Sequence, residues 1–226
     1  LCGGIPEFVR LRDPNWALDP DDLKRAFAKK PKAMILNTPC NPSGKVFSPA
    51  EMATLATFCR ECDTIAVTDE IYEHILYDGR QHVHMAELPG MWERTVTISG
   101  ISKSYSATGW RVGYAIAQRD LMAAIRKCHD YMVVCAPTPF QLGAVVAMGL
   151  PDSYYDELRE FYRERRDFLL RTFEALSIPA FRPEGAYYMM IRIDGLGRGD
   201  DESFAMSLVE QAGLAVVPGS SFYHRP

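Results

Sequence analysis

Lys103 stands in surroundings that a solvent-facing lysine does not need. Ser99, Gly100, Ser102, Ser104 and Ser106 lie around it, and Thr108-Gly-Trp-Arg111 follows closely. Small neighbours leave space for a bulky group on the amine. A lysine partly shielded from water also loses part of its proton affinity and becomes competent to form a Schiff base with an aldehyde. Two other stretches place polar residues just past apolar runs: Asn41, inside the proline-punctuated Thr38-Pro-Cys-Asn-Pro-Ser-Gly44, and Asp69, at the head of Asp69-Glu-Ile-Tyr72. Taken singly, several of these residues have ordinary roles: Asp69 as a helix cap, Arg111 in a surface ion pair, Tyr72 as a core aromatic.

Other patterns with chemical potential fall short on spacing. Cys59-Arg-Glu-Cys62 is a C-x-x-C at the C-terminal end of a helix, whereas a reactive pair needs a helix N-terminus to lower its thiol pKa. No second cysteine pair stands at zinc-ribbon spacing, so these are expected to be core cysteines. His82-Val-His84 offers two imidazoles on one strand face without an evident third ligand, and no metal site is expected there. Gly44-Lys45 lacks the upstream glycine and the following hydroxyl residue of a phosphate loop. Gly195-Leu-Gly-Arg-Gly199 runs into Asp200 and Asp201 where a dinucleotide loop needs its last glycine, and reads as an acidic-ended turn. Ser102 lies in neither a G-x-S-x-G elbow nor an S-x-x-K pattern, which leaves serine hydrolase chemistry without support.

The elements that must position Lys103, Asp69 and Asn41 are legible in outline. Ala33–Asn37 reads as a short buried strand. Ser48-Pro49-Ala50-Glu51 then combines a capping box with proline at the first helical position, and Met52, Leu55, Ala56, Cys59 and Cys62 recur at helical spacing. Thr64–Thr68 and Thr95–Ser99 read as further strands, Val112–Ala117 as a fourth, and a helix is expected to start near Arg119. This order predicts a mainly parallel sheet covered by helices, in which ligands gather beyond the carboxyl ends of the strands. Asn41, Asp69 with Tyr72, and Lys103 all follow such ends. From Tyr154 to Leu176 an amphipathic helix places Leu158, Phe161, Tyr162, Leu169, Phe173 and Leu176 on one side, with its arginines on a solvated, salt-bridged face. Ala186–Ile193 reads as a strand of a second, smaller unit.

Composition narrows the partners. Of 226 residues 47% are hydrophobic and 24% charged, and 25 basic against 29 acidic side chains give a formal charge of −4, without basic runs, so nucleic-acid binding is not expected. No apolar stretch approaches bilayer length and no charged start precedes an apolar run, so neither membrane insertion nor secretion is expected. Six cysteines are too dilute for a disulfide scaffold, which makes a reducing cytoplasm the expected location. The chain begins at Leu1 and stops in the polar turn Ser221–Pro226, and reads as a fragment.

Three segments, Asn37-Thr-Pro-Cys-Asn41-Pro-Ser-Gly44, Asp69-Glu-Ile-Tyr72 and Gly100-Ile-Ser-Lys103-Ser-Tyr-Ser-Ala-Thr-Gly109-Trp-Arg111-Val-Gly113, together resemble the class I/II aminotransferases of pyridoxal-phosphate (PLP) fold type I, in the family's order and approximate spacing. The resemblance extends over the 226 residues, and Pro89-Gly-Met-Trp-Glu-Arg-Thr-Val-Thr97 is similar to members acting on kynurenine, glutamine, methionine or aromatic amino acids. It implies a three-layer α/β/α large domain with a mainly parallel sheet over residues 1–152, part of a smaller α+β domain over 153–226, and a homodimeric parent with sites at the subunit interface. It implies pyridoxal 5'-phosphate as cofactor, and a small-molecule amino acid and 2-oxo acid as reactants.

Residue by residue, the resemblance implies that Lys103 holds the cofactor as a Schiff base and shuttles the substrate's α proton. Asp69 would pair with the pyridine nitrogen, Asn41 and Tyr72 would hydrogen-bond the 3′ oxygen, and Arg111 would clamp the phosphate. Many members carry serine where Gly100 stands, which makes Ser99 or Ser102 the candidate replacement. The family's earlier segment, with further phosphate ligands and a stacking aromatic, and its later carboxylate-binding arginine are not identifiable here, so the isolated segment is expected to be inactive. Two alternatives share the motifs: a PLP-dependent C–S lyase on the same fold, and a transcription regulator with an aminotransferase-like domain, which requires a helix-turn-helix region upstream of Leu1.

Overall fold

The computed structural model describes residues 3–196 and 199–223. Gly197 and Arg198, in the turn read at 195–199, and the last three residues of the C-terminal turn lie outside the described residues. A two-stranded antiparallel ribbon, β1 (Leu11–Arg12) with β2 (Ala17–Leu18), leads into α1 (Pro20–Phe27). There follow β3 (Ala33–Asn37), α2 (Pro49–Glu61), β4 (Ile65–Asp69), β5 (Thr95–Gly100), β6 (Gly113–Ala117), α3 (Arg119–Met132), α4 (Thr138–Met148), α5 (Asp152–Ala175) and α6 (Asp201–Ala212). The sheet order is β3-β4-β5-β6, parallel across the first three strands and antiparallel at the β6 edge. The expected mainly parallel α/β architecture is therefore present.

Local chemistry accounts for the boundaries. Ser48 caps α2 with both halves of the capping box: its hydroxyl accepts from the Glu51 N–H at 3.3 Å, and the Glu51 carboxylate accepts from the Ser48 N–H at 2.9 Å. Thr64, expected in a strand, instead closes the loop after α2. Its N–H donates to the Cys59 carbonyl and its hydroxyl to the Pro31 carbonyl, so the β3–β4 ladder begins one residue later, at Ala33 opposite Ile65. Asp200, in the acidic-ended turn, caps α6 by accepting from the Ser203 N–H at 2.8 Å.

Alternation along the strands divides the sheet into two faces. Leu36 of β3 and Ala66 of β4 face α1 and α2, where they bury Leu23, Phe27, Met52, Leu55, Ala56 and Cys59. Cys59 is fully buried, and that burial pushes its thiol up to about 11, so it behaves as a core cysteine. The other face carries Ile35, 83% exposed, together with Ile98 and Asp69.

Two expectations for the C-terminal region change. Ala186–Ile193 does not form a strand: Ala186 takes a left-handed φ of +56° and its N–H goes to the Ile75 carbonyl, leaving only the isolated bridges Leu76–Gly185 and Ala180–Ile191. Gly44 secures this segment. Its carbonyl accepts from the N–H groups of Glu184 and Gly185, and a Cβ at Gly44 would sit 2.4 Å from Pro183 Cβ. The apolar side of α5 is used only in part, since Leu158 and Tyr162 pack against Tyr72 and Tyr77 while Phe161, Leu169 and Leu176 remain exposed. Arg163 and Arg159 do form salt bridges at the surface, but Arg166 departs from that face. It is buried, paired bidentately with Asp78 at 2.8 and 2.9 Å, and lies over the Tyr77 ring.

These contacts predict a graded stability series in the full-length protein. Ser48→Ala removes one half of the capping box and costs about 1 kcal/mol, whereas Met52→Ala, at a fully buried position, costs about 3 kcal/mol. Urea unfolding of the two variants checks the order; equal losses would show that α2 is held by its cap rather than by its packed face.

Candidate active site

The three parallel strands deliver their carboxyl ends to one edge, and backbone bonds lock the ends together. Asn37, the last residue of β3, donates through Nδ2 to the Asp69 carbonyl at 3.0 Å, and the Thr38 N–H donates to the same carbonyl. The Asn37 Oδ1 accepts from the Asn41 N–H at 2.6 Å, which curls the Pro39–Pro42 loop back over the strand end. Asp69 lies on the face away from α1 and α2. Its neighbour Glu70, one step on, turns to the opposite face and meets His82 and His84. Burial pushes the Glu70 carboxyl up, but hydrogen bonds from His82 and His84 outweigh it and hold it down at about 2.

A cleft of about 320 Å³ opens beside Asp69, and Ser99, Ser102, Lys103, Thr108 and Arg111 line it with Asp69, Ile71 and Ile98. Lys103 is half-buried, with Nζ 5.9 Å from the Tyr72 ring centre and 5.7 Å from that of Tyr187. Arg111 adopts a left-handed φ of +54° after a short 3-10 turn, Thr108–Trp110, and one guanidinium nitrogen donates to the Thr108 carbonyl at 2.9 Å. The Asp69 carboxyl is raised above its ordinary range, chiefly by burial. The Ile71 N–H and the Lys103 charge pull it down, and Glu70 pushes it up.

Of the residues singled out from the sequence, Asp69, Lys103 and Arg111 therefore share one cleft, while Asn41 and Tyr72 are not among its lining residues. Tyr72 is buried behind Lys103, with its hydroxyl 2.8 Å from that of Tyr188. The side-chain oxygen of Asn41 is buried with no hydrogen-bond partner among the described residues, which is unusual for a polar atom without a ligand to meet. Both serines considered as replacements at Gly100 line the cleft, but they differ in that the Ser99 hydroxyl is committed to Glu73 at 2.8 Å. Gly100 itself has no room for a side chain, because a Cβ there would lie 2.9 Å from both Gly113 Cα and the Val112 carbonyl oxygen.

The lysine's proton affinity needs correction. Its small neighbours suggested a lowered pKa, but the Tyr187 hydroxyl accepts a hydrogen bond from the ammonium and raises it, outweighing the lowering by burial and by the Arg111 charge. Tyr187 and Tyr188 are the functional neighbours that sequence reasoning missed. They were read only as strand residues, and their one local signal is the Gly185-Ala186 pair before them, where tight packing sets the backbone against Pro39, Val46 and Ile75.

Similarity to known proteins identifies the family. Residues 1–226 match the family described as Aminotransferase class I and II. Kynurenine–oxoglutarate transaminase 1 of Mus musculus is 34% identical across 100% of this chain and 60% of its own length, and an aspartate aminotransferase of Pyrococcus abyssi is 37% identical across 98% and 58%. Among solved structures, N-succinyldiaminopimelate aminotransferase from Mycobacterium tuberculosis superposes with a TM-score of 0.90 at 33% identity, over 95% of this chain and 56% of that one. The chain thus spans about 60% of the length of the curated relatives it matches. Its three motifs in register, the shared cleft and the match from first residue to last establish that the chain belongs to the class I and II aminotransferase family.

Proposed function

We propose that this chain is the cofactor-holding part of a PLP-dependent aminotransferase, which moves an amino group between an amino acid and a 2-oxo acid. The observation that carries the reading is the convergence of an amine, a carboxylate and a guanidinium, from Lys103, Asp69 and Arg111, on one cleft at the strand ends. The donor set fits pyridoxal phosphate: Arg111 presents a forked cation for a phosphate, and the half-buried Asp69 carboxylate suits a protonated ring nitrogen. The partnerless Asn41 oxygen adds a buried polar group able to meet a ligand. Pyridoxal phosphate, when bound, supplies a sink for the electrons released as the amino acid's α C–H bond breaks.

The chain's own residues do the rest. Lys103 Nζ would hold the cofactor through its aldehyde group, with loss of water, and the freed amine would be the base that takes the proton from the amino acid's α carbon. Asp69 holds the proton on the ring nitrogen, a charged pairing that offsets the cost of burying the carboxylate. Asn41 and Tyr72 orient the 3′ oxygen. For Tyr72 this means sharing its hydroxyl with Tyr188. Arg111 fixes the phosphate, with Ser102 in the same cleft as the hydroxyl that compensates for Gly100. In this reading residues 1–152 belong to the large domain and 153–226 to the small one, and the full-length protein is a homodimer. Among the described residues no helix is long and apolar enough to cross a membrane.

Three outcomes test this. Borohydride treatment of the PLP-loaded full-length protein fixes the cofactor on the peptide containing Lys103; label on another lysine refutes the assignment. Asp69→Ala lowers turnover by at least ~10², and near-normal turnover would make Asp69 structural. If pyruvate is released readily from cysteine conjugates without an added oxo acid, the lyase alternative replaces the transaminase. The raised Lys103 pKa gives a further expectation, because only the free amine attacks an aldehyde. Capture of PLP by the cofactor-free protein therefore accelerates as pH rises toward that raised pKa. Tyr187→Phe removes the hydrogen bond that favours the ammonium, moving the midpoint to lower pH, as stopped-flow absorbance would show; an unmoved midpoint contradicts the Tyr187 assignment.

A further inference from the structure

Asp69 serves the cleft, but the side chain after it points the other way, into a second group of ligating residues that the proposed reaction does not use. Glu70, Glu73, His82 and His84 each offer one donor atom, and the four atoms lie within 4.8 Å of one another. The sequence presented His82 and His84 as a pair without a third ligand. The fold supplies a third and a fourth from the turn that follows β4. We propose that these four side chains form a binding site for a divalent transition cation of the zinc class.

The site is built in both its inner and outer layers. Glu70 Oε2 lies 2.7 Å from His82 Nε2 and 2.6 Å from His84 Nδ1, and Glu73 Oε2 lies 4.0 Å from the other nitrogen of His84. Each carboxylate has its remaining oxygen tied by a hydroxyl: Thr68 donates to Glu70 Oε1 at 2.7 Å and Ser99 to Glu73 Oε1 at 2.8 Å, with the Tyr114 hydroxyl 3.4 Å from the same Glu73 atom. Hydroxyls that fix one oxygen of a carboxylate and leave the other facing a cluster of imidazoles are what orients ligands around a metal. The His82 ring meets that of His84 edge-on, 4.6 Å between centres, and among the described residues its Nδ1 is buried without a hydrogen-bond partner.

Charge and access point the same way. A divalent cation would balance the two carboxylates of Glu70 and Glu73, in a place where Glu70 has no exposed side-chain surface and His82 only 6%. His84, 37% exposed, leaves a route in from solvent. Nitrogen and carboxylate donors without a thiolate suit zinc, cobalt or nickel. Bonds of 2.0–2.2 Å in a tetrahedron separate neighbouring donors by about 3.4 Å, so the Glu70–imidazole pairs open by less than ~1 Å to admit the ion. With four protein ligands no position is left for substrate, and the ion's work is structural. It ties the loop carrying His82 and His84 to the turn directly after Asp69.

Cobalt(II), added to the full-length protein after dialysis against a chelator, provides the test. One equivalent per chain is expected to give the visible d–d bands of a tetrahedral nitrogen–oxygen site, and zinc(II) to abolish them. His84→Gln, at the most exposed ligand, should weaken cobalt binding at least tenfold. Ser99→Ala, which frees Glu73 while leaving all four ligands, should weaken it by about 10- to 100-fold. The proposal is overturned by failure to bind one equivalent, by sulfur-to-cobalt charge-transfer bands that place the ion on cysteine, or by unchanged affinity in either variant.

Discussion

Everything at this site hangs on the parallel pairing that brings the carboxyl ends of β3, β4 and β5 level. Asn37 opposite Asp69, and Asp69 opposite Ile98, fix the height at which each chain leaves the sheet. The bond from the Asn37 amide to the Asp69 carbonyl then holds the first loop against the second. Because side chains alternate across a strand, a slip of one residue in this register would exchange Asp69 and Glu70 between the two faces. One carboxylate would leave the cleft and the other would lose its histidines. Register is well specified here because Leu36 and Ala66 must face α1 and α2 to be buried.

That alternation produces two acidic positions of opposite character from adjacent residues. Glu70 is surrounded by donors, so its ionised form is favoured despite burial. Asp69 has one backbone donor and a more distant lysine, so burial dominates and its protonated form gains ground. A carboxylate left short of positive charge in a cleft is suited to receive a cationic partner. The aromatic group behind Lys103 is arranged on the same principle. Tyr72 and Tyr188 share a hydrogen bond, Tyr162 stacks with Tyr187 at 5.2 Å, and the tyrosines together leave an oxygen facing the amine.

Much of this was legible along the chain. The capping box at Ser48 is a local contest between one side chain and four backbone groups, and it set the start of α2 as expected. The strand–helix–strand order gave the parallel sheet, and the rule that ligands gather at strand ends picked out Asp69 and Lys103. Reading failed where partners are remote. An extended Ala186–Ile193 fits the local pattern, but the Ala186 N–H goes to the Ile75 carbonyl and the far end pairs with residues 179–181. Arg166 looks like its surface neighbours on α5 until Asp78 and the Tyr77 ring enclose it.

The sequence by itself therefore determined the family, the strand order of the parallel sheet and the candidate site residues, because these follow from short motifs and from periodicities of two and 3.6 residues. Tertiary structure alone decided how those residues are tuned. It set Tyr187 against Lys103 and raised a proton affinity that the local composition suggested would fall. It spent the Ser99 hydroxyl on Glu73, closed Gly100 to any side chain, and gathered Glu70 and Glu73 around His82 and His84. Proton affinity and ligand geometry depend on distances of a few ångströms between groups far apart in the chain, and only packing sets those distances.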